Sequence, residues 1–282
     1  MNKLAFIGGG SMAEAIISGI TAKGIINPPQ ISVMNKIDRI RLAFLEETYG
    51  ITAVGNMKEL LEGAEVVFLA VKPKDVLAAL TAAKDHLSKG QLIVSVAAGV
   101  STACIETIID QKAAIIRAMP NTSAAIGKSA TALSANAFVA PGQLAFINDI
   151  FLTIGLVSPV EEEQLDAVTG LSGSGPAYVY YLAEAMMKSA QEIGLLDQTA
   201  KELTIQTLLG AAEMLKTSSK TPQVLRREVT SPGGTTEAGI KVLEQYGVQD
   251  AVITCIKEAS MQSKRLGENL SRQIFSESVS QD

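Results

Sequence analysis

Two rhythms divide the chain. Up to about residue 160, short apolar, β-branched runs alternate with stretches whose apolar positions recur every three or four residues. KLAFIG, ISVMN, EVVFLAV, LIVSVA and AAIIRAM are apolar nearly throughout, as strands are when helices cover both faces of a parallel sheet. Helical patterns lie between them, at Ser11–Lys23 and around residues 37–49. TALSA and GLVSPV add two further short strands, with a helix over residues 141–154 between them. This alternation predicts a doubly wound α/β domain of the Rossmann type over residues 1–160.

After Glu161 the strand signal stops. Helices are expected over residues 164–168, 176–193, 198–216, 222–229, 235–246 and 249–269. The second of these, AYVYYLAEAMMKSA, has almost no polar face, so it is expected to be buried in a bundle or against a second subunit. The last sets Val252, Cys255, Ile256, Ala259 and Leu266 on one stripe. Residues 161–282 therefore read as an all-helical domain, and the tail QIFSESVSQD reads as frayed.

Composition changes this picture little. A chain of 282 residues is more than one core usually takes, which agrees with two domains. The formal charge of −5 argues against a nucleic-acid surface. No apolar run reaches the roughly 18 residues of a membrane span, and LAFIGGG does not open a signal peptide. Cys104 and Cys255 lie far apart with no second ligand nearby, so no metal site is expected and both read as buried reduced thiols. These readings place the protein in the cytoplasm.

The first strand runs into Ile7-Gly8-Gly9-Gly10-Ser11-Met12-Ala13, which fits G-x-G-x-x-A between a strand and a helix. Gly8 permits the tight turn, Gly10 lets a pyrophosphate approach the backbone, and Ala13 lets helix and strand pack closely. The pyrophosphate meets the unpaired N–H groups at the start of the helix. An acid at the end of the second strand would bind a ribose 2′-hydroxyl. This chain has Asn35 there, then Lys36 and Arg39, which favours NADPH and leaves NADH as the other option. Asp38 is the missing acid if the strand ends later, and Lys36 and Arg39 are alternatively a solvated helix face. Other strand ends supply Ala70-Val71-Lys72-Pro73, Ala97-Ala98-Gly99 and Met119-Pro120-Asn121-Thr122, small residues suited to a flat nicotinamide. Lys72 is either a catalytic cation or a solvated amine.

IGGGSMAEAI, AVKP, RAMPNT, DAVTGLSGSGPAYVYYLAEAM and LRREVTSPGGTTEAGI, in this order, resemble the pyrroline-5-carboxylate reductases over residues 4–270. The resemblance implies a Rossmann domain followed by a helical domain that interlocks with its twin in a homodimer, and in many members a larger ring. It implies cofactor contacts at Gly8, Gly10 and Ser11, a 2′-phosphate place at Asn35 and Lys36, and Asn56 facing the adenosine ribose. Ala70, Lys72, Pro73, Ala97 and Ala98 fall on the nicotinamide side. The substrate loop falls on Ser231, Gly233, Gly234, Thr235 and Thr236, with Thr169, Ser174, Gly175 and Pro176 nearby. Several relatives carry an acid shortly before the proline that opens the preceding segment. Here Ser218-Ser219-Lys220-Thr221 stands before Pro222, which puts any role of that acid in doubt.

The substrate so implied, 1-pyrroline-5-carboxylate, is a cyclic imine bearing a carboxylate, and its reduction gives proline. In TSPGGTT, Gly233 and Gly234 can turn N–H groups inward at positive φ, and Ser231, Thr235 and Thr236 add hydroxyls at a helix start. The stretch reads as a carboxylate cradle, or alternatively as a plain capped connection. Thr236 is the candidate hydroxyl for the ring nitrogen, with Ser174 as a second catalytic candidate. The only histidine, His86, lies away from every motif, against a reaction that polarises a carbonyl through imidazole. Two rival readings are a β-hydroxyacid dehydrogenase, which would need Lys188 nearer its glycine-rich turn, and a regulatory NADPH-binding protein without catalysis.

Overall fold

The structure is a computed structural model that describes residues 3–279. It opens with β1 (Leu4–Ile7), α1 (Ser11–Lys23), β2 (Ile31–Met34), α2 (Arg39–Tyr49), β3 (Thr52–Ala53) and α3 (Met57–Leu61). There follow β4 (Val66–Leu69), α4 (Val76–Ala83), β5 (Leu92–Ser95), α5 (Thr102–Ile109), β6 (Ala114–Met119) and β7 (Ser129–Ala135). A further helix, α6 (Pro141–Leu152), leads to the last strand, β8 (Gly155–Pro159). The eight strands form one sheet in the order β3-β2-β1-β4-β5-β6-β7-β8. β1 to β6 run parallel. Chain order reverses between β1 and β4, which opens the ligand crevice of this class of sheet outside their carboxyl ends.

Period-two alternation along each strand builds two cores. Leu4, Phe6, Val66 and Phe68 face α1 and α6, while Ala5, Ile7, Val67 and Leu69 face the cluster of α3, α4 and α5. Phe6 and Phe68 stack with ring centroids 4.4 Å apart. Burying each such side chain contributes about 1.5–3 kcal/mol, and because both faces are covered the strands carry no polar alternation.

Two features of the sheet depart from the sequence reading. β3 is a two-residue strand inside the four-residue run ITAV, shorter than the runs that announce the other strands. β7 pairs antiparallel with β6. The connection between them, residues 120–128, is shorter than the dozen or more residues of a parallel crossover.

Beyond β8 come α7 (Leu165–Val168), α8 (Gly175–Glu192), α9 (Asp197–Thr217), α10 (Pro222–Glu228), α11 (Thr235–Gln245) and α12 (Val248–Val279). The chain forms two compact units. One comprises residues 1–174 with 258–282, and the other residues 175–257. In the second unit α8 packs on α9, yet α8 has no buried residue, and Val179, Tyr180, Tyr181 and Leu182 are exposed. Among the described residues no helix is long and apolar enough to cross a membrane.

The last helix corrects two expectations. It does not end at residue 269 but continues through most of the tail to Val279, because Leu270 and Ile274 pack into the core cluster beneath α4 and α5. Of the tail QIFSESVSQD, the last three residues lie outside the described ones. Cys104 is buried, with Sγ 3.0 Å from Ser271 Oγ, whereas Cys255 is exposed on the unpartnered stripe of α12.

Candidate active site

Parallel register aligns the ends of four strands. Ile7 pairs with Met34 and Leu69, and Leu69 with Ser95, so Gly8, Asn35, Ala70 and Val96 form the next row outward. Ile7 is buried as the last residue of β1. Gly8 sits at φ +106, its N–H donates to Met34 O at 2.9 Å, and a Cβ added to it would lie 2.6 Å from Ala70 O. No side chain larger than hydrogen fits there. Gly10 precedes α1, which has no side-chain cap, and a Cβ on Gly10 would meet nothing within 4 Å. The first N–H groups of α1, from the exposed Ser11 and the half-buried Met12 onward, have no helical acceptors. Open space before an uncapped helix start fits a diphosphate, held by main-chain amides and the helix dipole.

At the end of β2, Asn35 Oδ1 accepts from the N–H groups of Ile37 (3.3 Å) and Asp38 (3.4 Å). Asp38, the alternative ribose acid, caps α2, its Oδ1 accepting from Arg41 N at 2.8 Å. Lys36 and Arg39 are exposed and enter no ion pair among the described residues. Asn56, just past β3 at the same edge, caps α3, its Oδ1 accepting from Glu59 N at 2.9 Å. Val71 is half-buried, and Lys72 is exposed immediately before the short 3-10 turn Pro73–Asp75. After β5, Ala97 N–H donates to Ser95 Oγ at 3.3 Å, and Ala98 leads to Gly99. Gly99 lies backbone-to-backbone against Gly267 of α12, where an added Cβ would stand 2.6 Å from Gly99 O. His86 is exposed and remote from this edge in the chain.

One carboxylate behind this edge escaped the sequence reading. Glu162 accepts from Thr102 N (2.8 Å) and Thr102 Oγ1 (2.6 Å) and pairs with Arg117 Nη1 (3.0 Å). Burial by itself would push its carboxyl up. The Thr102 hydroxyl and N–H and the Arg117 charge outweigh this and hold it below its ordinary value. Arg117 is buried and Thr102 follows the Ala97–Ala98–Gly99 edge, so Glu162 ties β6, the start of α5 and the segment leading out of the sheet. A glutamate beside other glutamates in VEEEQ gives no sequence signal for such a role.

That segment contains a π-helical turn, Thr169–Gly173, a backbone form enriched at functional sites. Thr169 Oγ1 donates to Leu165 O at 2.8 Å, and Ser174 N–H donates to Thr169 O at 2.9 Å. Asn121 Nδ2 donates to Ser172 O at 2.9 Å, so the end of β6 fastens the turn. Gly175 and Pro176 open α8.

In the second unit, residues 229–234 connect α10 to α11, and Ser231, Gly233 and Thr235 are exposed. Gly233 takes φ +72, and Gly234 N–H donates to Ser231 O at 3.0 Å. Gly234 itself is extended, at φ −83, so only one of the two expected left-handed glycines is present. Gly234 precedes α11 with no side-chain cap, and Thr236 is the helix's second residue. The Gly233 N–H is already engaged, donating to Glu237 Oε2 at 2.7 Å. Glu237 also pairs with Lys241 at 3.2 Å.

A doubly wound sheet with an open glycine turn at its reversal point is the dinucleotide-binding class of fold. Comparison with known proteins narrows this. Residues 162–266 match the model described as "Pyrroline-5-carboxylate reductase dimerisation", and residues 3–99 match "NADP oxidoreductase coenzyme F420-dependent". The chain is 44% identical over 268 residues to pyrroline-5-carboxylate reductase 2 of Bacillus subtilis, covering 95% of this chain and 96% of that one. The solved structure of a pyrroline-5-carboxylate reductase from Coxiella burnetii is 39% identical, with a TM-score of 0.86 over 94% of this chain and 98% of its own. The pyrroline carboxylate reductase of Plasmodium falciparum, solved with NADP bound, gives the same score at 28% identity and the same coverage. The chain belongs to the pyrroline-5-carboxylate reductase family.

Proposed function

We propose that this protein reduces 1-pyrroline-5-carboxylate to proline with NADPH, as a homodimer. The observation that carries the reading is the open, uncapped start of α1 behind Gly8, in a chain 44% identical to a named reductase over nearly its whole length. Gly8, Gly9 and Gly10 and the N–H groups of Ser11 and Met12 hold the diphosphate. Asn35 with Lys36, aided by Arg39, takes the 2′-phosphate, because the one nearby acid, Asp38, is spent on its helix. That a family member was solved with NADP bound supports this preference. Asn56 faces the adenosine ribose, and Ala70, Val71, Lys72 and Pro73 with Ala97, Ala98 and Gly99 seat the nicotinamide. The bound reduced nicotinamide supplies the hydride.

Main-chain amides and hydroxyls of Ser231, Gly233, Gly234 and Thr235 take the substrate carboxylate, with Thr169, Gly175 and Pro176 contributing to the substrate place. The Thr236 hydroxyl, with Ser174 as the second candidate, keeps a proton at the ring nitrogen. Orienting two reactants is the larger share of the work, worth as much as about 7–11 kcal/mol in well-aligned cases. Purified protein supplied with NADPH and pyrroline-5-carboxylate should oxidise the nucleotide and yield proline in equal amounts. Tight nucleotide binding without turnover would overturn the reading in favour of a regulatory protein.

The dimer rests on a second observation. Tyr181 is 77% exposed and Tyr180 61% on a helix whose composition suits burial. Replacing Tyr181 by Asp should shift the species seen by light scattering from dimer towards monomer, and an unchanged mass would place the interface elsewhere.

A further inference from the structure

Arg41 on α2 reaches back to the glycine turn. Its Nε donates to Gly9 O at 3.1 Å, and its Nη2 pairs with Glu14 in the first turn of α1. The Tyr49 hydroxyl donates to the other Glu14 oxygen at 3.0 Å, and the guanidinium lies over the Phe44 ring, 5.4 Å from its centroid. Glu14 N–H donates to Gly10 O at 3.0 Å, and Asp38 fixes the start of α2 by accepting from Arg41 N. One donor, Arg41 Nε of α2, thus grips the carbonyl in the middle of the turn, and Glu14 of α1 holds that guanidinium in place. Gly9 is buried and Glu14, Arg41 and Tyr49 are half-buried, while Gly10, Asp38 and Phe44 are exposed. Burial, followed by the bond to Glu14, raises the Tyr49 hydroxyl's pKa, so Tyr49 stays a neutral donor.

We propose that Arg41, held by Glu14 and Tyr49, is a positioning residue for the dinucleotide. It fixes the Gly9 peptide so that the next N–H groups face the diphosphate, and it does not read the 2′-phosphate. A glycine turn pays more conformational entropy to order than any other backbone, and a charge-assisted bond to its central carbonyl limits that cost before the ligand arrives. The two engaged guanidinium nitrogens point at the turn and at Glu14, whereas Lys36 and Arg39 stand exposed with no ion pair among the described residues. The inference rests on the glycine turn being the dinucleotide site, and it separates two kinds of cation there: one that shapes the turn, and two that distinguish the nucleotides.

Calorimetric titration of NADPH and NADH into the wild type, Arg41→Met and the double variant Lys36→Ala/Arg39→Ala tests this, with melting of the ligand-free proteins alongside. Arg41→Met should weaken both nucleotides by the same factor, about fivefold, and leave their affinity ratio unchanged. The double variant should weaken NADPH alone. Loss confined to NADPH in Arg41→Met would make Arg41 a phosphate ligand and overturn the proposal. Unchanged affinities with a lowered melting temperature would overturn it too, leaving a helix–helix tie. Should Arg41→Met fail to fold, Glu14→Gln, which keeps the volume but loses the ion pair, carries the same test. A wild type that binds neither nucleotide would instead overturn the cofactor reading itself.

Discussion

Two glycine-led helix starts in this protein look alike in sequence and differ in how they are held. At α1, Gly8 is pressed against β4 and the Gly9 carbonyl is gripped by Arg41 from the next helix. At α11, Gly233 is exposed, nothing lies within 4 Å of an added Cβ, and the only side chain on its N–H comes from the helix's own first turn. The first turn is shaped by the surrounding fold and left open in front. The second is shaped locally, and its anion place already receives a carboxylate. The start of α5 is a third case, capped by Ser101 and closed by Glu162 arriving from 60 residues away. Of the three, only the start of α1 combines a backbone held by the surrounding fold with no side chain on its cap.

The largest expected effect breaks the first turn. Gly8→Ala places a Cβ against Ala70 O at a φ that L residues rarely adopt, so nucleotide affinity should fall by more than tenfold and stability by roughly 3 kcal/mol, read by calorimetry and thermal melting. Retained affinity would mean that the turn can relax.

Next comes the closed start of α5. Glu162→Gln removes the charge facing buried Arg117 and should cost about 2 kcal/mol at neutral pH. Because the carboxyl is held below its ordinary value, the ionised form stabilises the fold, and that stabilisation is lost as pH falls through the lowered value. The difference in melting temperature between wild type and variant should accordingly shrink on acidification. A constant difference would deny Glu162 this role.

Gly233→Ala should cost less than Gly8→Ala, about 1 kcal/mol, because only its φ of +72 opposes the change and no neighbour does. The KM for pyrroline-5-carboxylate should rise with that for NADPH unaltered. Equal losses in the two glycine variants would erase the contrast between the turns. The smallest effect sharpens it. Glu237→Gln keeps an acceptor for the Gly233 N–H but removes the charge competing with a substrate carboxylate, so the KM for pyrroline-5-carboxylate should fall by about threefold. A rise would make Glu237 part of the cradle's support.

How far these sites could be read in the sequence follows from where their information lies. α1 was legible to the residue, since an apolar strand, three glycines and an amphipathic run are all local signals. Asn35 after β2 was legible for the same reason. Arg41, Glu14 and Tyr49 were not, because the turn they hold is 32 residues from Arg41, and no periodicity links an arginine on one helix to a carbonyl before another. Glu162 and Arg117 likewise meet across 45 residues. The antiparallel β7 was hidden because an apolar run declares a strand but not its direction. Continuation of α12 to Val279 was missed because its polar composition there reads as solvated, while Leu270 and Ile274 anchor it to a distant core. In TSPGGTT the composition announced a turn before a helix, but not that Gly234 would be extended or that Glu237 would bend back.

The central claim is that each of the two uncapped helix starts takes one anion: a diphosphate at the open α1 and, once Glu237 is displaced, a small ring carboxylate at α11. A crystal structure with NADPH and a proline analogue tests it most directly. The diphosphate should lie on the N–H groups of residues 10–12, and the analogue's carboxylate on residues 231–236 with Glu237 turned away from Gly233 N. A carboxylate bound elsewhere, with the Gly233–Glu237 bond intact, would contradict it.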